Sequence, residues 1–170
     1  PDIQSYVAVS RENTGTVLRF STTIFGFHAT VHAVDKTLYI DPLTKDLQTY
    51  MMYEKANLYS DLQDRVVCMV EDGPEDNLAG RNSGDDFQLE NANDGQLRTF
   101  RLALACTQEY ANYHINAAGQ QAATDAVKRA TVLAAMNVTM TRVNAVFERD
   151  MSLTMTLVDN TSIIFLAEND

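Results

Sequence analysis

A chain of 170 residues, 45% hydrophobic and 21% charged, suffices for one ordinary domain or two small ones and can bury a core. Its formal net charge of −10 argues against nucleic acid and an anionic membrane surface as partners, since both are held through clustered Lys and Arg. No apolar run approaches the roughly 20 residues a membrane-spanning helix requires.

The chain opens at Pro1 with no basic or apolar leader, as expected of a processed or excised piece. Up to about Asp72 the pattern is that of strands. Val17-Leu18-Arg19-Phe20-Ser21 and Ile24-Phe25 lead into Gly26, after which Phe27, Ala29, Val31 and Ala33 alternate with His28, Thr30 and His32. Thr37-Leu38-Tyr39-Ile40 stops at the turn signal Asp41-Pro42, where proline fixes φ and cannot donate to a ladder. Thr49 to Tyr53 and Arg65 to Val70 are two further β-favouring runs. Short strands at close spacing, with no helix-length pattern between them, predict an antiparallel sheet.

Residues 71–96 differ in kind: eight acids stand against Arg81 alone, with four glycines and Pro74. Such a stretch buries too little apolar surface to offset its ordering entropy and reads as a linker. Beyond it, Phe100, Leu102, Leu104 and Cys106 alternate with Thr99, Arg101, Ala103 and Ala105, predicting a strand with one apolar face. From about Gln120 to Arg149 the spacing becomes helical, and Leu133, Met136, Met140, Val143 and Phe147 fall on one face as a core stripe. Leu153, Met155 and Leu157 alternate again, and Ile163 to Leu166 is a last apolar run. A helix between two such strands predicts a βαβ unit on a parallel pair. The expected class is α+β: a β module over residues 1–75, an acidic linker over 76–96, and a β-α-β unit over 97–170.

Leu97 to Tyr110 resembles the first strand of bacterial reprolysin-like zinc metalloproteases, the adamalysin branch of the metzincins. Ala134 to Asn137, Arg142 to Asp150 and Leu153 to Val158 are similar to that family's first helix and second strand. Ile3 to Tyr6, Phe20, Gly26 to Ala29 and Tyr39 to Pro42 look like the end of the propeptide preceding such domains. The resemblance implies a secreted zymogen whose zinc-activated water attacks a peptide carbonyl. It also implies, as partners, peptide or protein substrates and the remainder of the protease domain. The family's HExxHxxGxxH motif is absent: neither His28, His32 nor His114 is followed by Glu. The catalytic half is therefore expected to lie outside this chain, which alone should be inactive and hold no zinc.

His28 and His32 are four apart. On a strand that is roughly 13 Å, too far for both to reach one zinc at about 2 Å, so ordinary strand histidines are the expectation. His114, just past a predicted strand end, is expected to cap or line a loop. Cys68, beside the linker, is the candidate zinc-blocking thiol that the zymogen resemblance implies; its other reading is a small buried hydrophobe between Val67 and Met69. Burial is the reading of Cys106, and a Cys68–Cys106 disulfide is open. Arg101 stands where the family carries an acidic calcium ligand, so no calcium is expected there. Asn137-Val138-Thr139 and Asn160-Thr161-Ser162 match the glycosylation sequon. An unfinished βαβ unit would expose edges that a dimer could cover. The rival reading is a non-catalytic extracellular β-rich module that binds or inhibits.

Overall fold

The computed structural model describes residues 3–58, 95–158 and 161–167. Five strands, β1 (Gln4–Val9), β2 (Val17–Thr23), β3 (Gly26–His32), β4 (Thr37–Pro42) and β5 (Tyr50–Glu54), form an antiparallel meander in sequence order. Ile24 and Phe25 are the two residues between paired Thr23 and Gly26. Gly26 has φ +95°, and a Cβ there would lie 3.0 Å from Pro42 Cγ, so this corner requires glycine.

Strand alternation gives the sheet two unlike faces. The register aligns Tyr6, Phe20, Ala29, Ile40 and Met52 across the middle of one face. The opposite face carries Arg19, Ser21, His28, Thr30, His32, Tyr39 and Asp41. The long helix α2 (Asp125–Met151) packs on this second, polar face, chiefly against β2 and β3.

Strand β6 (Arg98–Leu102) pairs in parallel with β7 (Leu153–Leu157). Between them come α1 (Gln108–Ala117) and α2. The parallel pair spanned by helix is as the periodicity predicts. Ala111 and Ile115 of α1, Val132 and Met136 of α2, and Ile164 form a buried core. Helix α2 is thus buried on two sides. Thr131 and Thr141 inside it return their hydroxyls to the carbonyls of Val127 and Asn137. At its C-terminus Ser152 adopts φ +52° and turns the chain directly into β7.

Several expectations are corrected. The strand predicted through Cys106 ends at Leu102, and Cys106 makes only an isolated bridge to Ile164. His114 lies in α1, not in a loop; the helix is held by Ala111 and Ile115, one turn apart on the core side. Of the predicted stripe, Met136 and Met140 are buried while Leu133, Val143 and Phe147 are only partly so. The Arg65–Val70 run and Cys68 lie outside the described residues. No described helix is long and apolar enough to cross a membrane.

Candidate functional site: a charged seam between sheet and helix

The alternation that places Arg19, His28, His32 and Asp41 on one sheet face turns them all toward α2. Helical spacing brings Arg142, Glu148 and Arg149 to meet them. Arg19 grips Glu148 in a two-point contact, with Nε donating to Oε2 at 2.7 Å and Nη2 to Oε1. Both side chains are about 15% exposed, so water screens the pair little. Burial pulls the Glu148 carboxyl upward, but the Arg19 guanidinium and the Thr154 hydroxyl hold it below its usual value.

At the other end of the sheet, Arg142 Nη2 donates to both oxygens of Asp41 at 2.5 Å. Its guanidinium also stands 5.1 Å over the Tyr39 ring, a cation–π distance. Asp41 further accepts from the Tyr53 hydroxyl at 2.6 Å, and burial together with that carboxylate raises the Tyr53 pKa. His28 Nε2 lies 3.8 Å from Asp41. Burial nonetheless lowers the His28 pKa, with the Asp41 charge opposing and the Arg142 charge assisting.

His32 is the best-buried histidine of the three. Its Nδ1 lies 3.0 Å from the Thr37 hydroxyl and 3.2 Å from Arg149 Nη1. Arginine can only donate, so Nδ1 accepts and the proton belongs on Nε2. Burial, then the Arg149 charge, lowers the His32 pKa. Arg149 is itself held by Asp150 through Nε and Nη2.

His28 and His114 line one cavity of about 270 Å³ with Phe25, Tyr113, Ala135 and Val138. Its walls are largely apolar, and the His114 ring packs against Phe25, Tyr110 and Tyr113. Burial lowers the His114 pKa. Two of the three histidines are therefore neighbours of one space, but among the described residues no three His, Cys, Asp or Glu side chains are placed to hold a metal ion. Cys106 is a free, half-buried thiol whose pKa burial raises, the environment of an inert cysteine. Arg101 is exposed on β6.

Asn144 was not singled out by sequence. It is buried, and its amide brackets Met155 of β7: Nδ2 donates to the Met155 carbonyl at 2.8 Å and Oδ1 accepts the Met155 N–H at 2.9 Å. The side chain thus stands in for a neighbouring strand. The only available signal was a polar residue on the apolar side of a helix. No family model, no curated protein and no solved structure matches this chain.

Proposed function

We propose that this chain is a piece of a secreted zinc metalloendopeptidase zymogen, carrying the end of its propeptide and the first βαβ of its protease domain. The observation that most supports this reading is the seam. The N-terminal sheet holds the helix of the βαβ unit through Arg19–Glu148, Arg142–Asp41 and Arg149–His32, not through a shared apolar core. A propeptide must grip its protease and later leave, and a joint made largely of polar and charged pairs exposes less apolar surface on separation than a shared core would.

In that parent, zinc would supply an activated water, held by residues that this chain does not contain. Here the sheet clamps α2, and α2 positions β7 through Asn144. Cys68 remains the proposed zinc-blocking thiol, and the acidic 76–96 segment the proposed site of activating cleavage. The decisive experiment extends the reading frame beyond Asp170 and assays the longer protein on peptides with and without a zinc chelator. An HExxHxxGxxH motif with chelator-sensitive hydrolysis is expected, and an intact gene without the motif defeats the reading. In the longer zymogen, Cys68→Ser should shorten latency; unchanged latency removes the thiol from the scheme.

The second reading, a non-catalytic binding module, is favoured by a different observation: the sheet's apolar face is turned away from every helix contact just described.

A further inference from the structure

An amphipathic sheet ordinarily buries its apolar face and wets its polar one. Here the arrangement is reversed, since α2 occupies the polar face. The apolar face has three rows. One end holds Thr22, Phe27, Pro42 and Tyr50; the middle holds Tyr6, Phe20, Ala29, Ile40 and Met52; the far end holds Ala8, Leu18, Val31 and Leu38. Aromatic rings run across it, with Tyr6 stacked on Phe20 at 5.0 Å and Phe20 near Phe27 at 5.5 Å. Met52 is 65% exposed and Tyr6 44%.

We infer that this face is the interface of a homodimer, in which two copies of the chain pack sheet on sheet. Three observations single out a second copy as the occupant. The face bears one charged side chain among the described residues, Glu54 at its corner, so two chains of net charge −10 can meet there without apposed charges at the centre. A charged partner would find nothing to pair with. Five strands about 4.8 Å apart and about six residues long give a footprint of about 450 Å². Side-chain relief brings this to roughly the 600–800 Å² per partner of a small specific interface.

The rows are also self-complementary. A two-fold axis lying in the interface along the middle row sets strands on strands, within the angle aligned sheets adopt. It places the bulky Phe27 and Tyr50 row of each copy over the aliphatic Leu18, Val31 and Leu38 row of its partner. The inference is independent of the protease reading.

The test is sedimentation equilibrium of the full 170-residue chain from about 1 µM to about 100 µM. A monomer–dimer equilibrium is expected. The double variant Tyr6→Glu, Met52→Glu should weaken it by about 100-fold or more, because two carboxylates per copy would be buried unpaired. Its circular dichroism should stay that of the wild type. Val34→Glu, at an exposed apolar residue in the β3–β4 turn, should leave dimerisation unchanged. A wild-type chain monomeric throughout, a dimer that survives the double variant, or equal weakening by Val34→Glu overturns the inference. Should the double variant fail to fold, oxidation of the wild type decides. Met51 and Met52 are adjacent but on opposite faces, both exposed. Raising the protein concentration should slow oxidation of Met52 and leave Met51 unaffected; equal rates at both concentrations overturn the dimer.

Discussion

Single side chains decide how firmly the sheet holds the helix. Glu148→Gln leaves the Arg19 guanidinium buried without its counter-charge, and breaking such a pair costs about 3 kcal/mol, readable as a lower denaturation midpoint. The histidines make the same contact sensitive to acid. His28 and His32 have folded pKa values below the unfolded value of 6.5, so the unfolded chain binds protons first as pH falls. Stability is then complete above about pH 6.5 and declines below it. Protonating His32 also turns Nδ1 from an acceptor into a donor facing Arg149. Glu148, held below the ordinary 4.5, contributes stability present above that value and lost as pH falls through its folded pKa. Thermal unfolding followed from pH 8 to pH 2 should show both losses, with the upper one reduced to the share of His114 in a His28→Gln, His32→Gln variant. At this scale the sequence was only partly legible. It placed His28 and His32 on one strand correctly, but strand periodicity cannot say which residues of a distant helix will face them.

Among the elements, α2 carries most of the organisation. Its 27 residues make a rod of about 40 Å, packed by the sheet on one side and by α1 and β7 on the other. Asn144→Leu keeps the volume but strips the Met155 N–H and carbonyl of their partners, at about 1–3 kcal/mol for each unsatisfied group. The Met155 amide should then exchange with deuterium far faster than its neighbours on β6. Ser152→Gly should act in the opposite sense, stabilising by about 0.5–1 kcal/mol, because the φ of +52° there strains any side chain. A lowered midpoint would show that the serine side chain contributes more than its backbone costs. The strands from Val17 to Tyr53, the helix and β7 were readable because each repeats its period several times. Helix α1 was not, since Tyr110, Tyr113, His114 and the asparagines give it no clean stripe. Only Ala111 and Ile115 are buried, and those two positions are too few to announce a helix.

For the molecule as a whole, the antiparallel sheet, the helices and the small parallel pair make a mixed α+β fold. The sheet is contacted on one side by charge and presents oil on the other, which no alternation pattern reveals, because alternation separates two faces without saying which is covered. The two faces should answer added salt in opposite directions. Ions screen exposed charges over about 10 Å at 0.1 M, so sodium chloride should loosen the hold of the more exposed Arg142 and Arg149 on their partners, and that of the sheltered Arg19 least. A strongly hydrated anion such as sulfate strengthens apolar burial and should tighten whatever covers Phe20 and Met52. Choice of anion thus becomes a means of titrating one side of a five-stranded sheet against the other, with no residue changed.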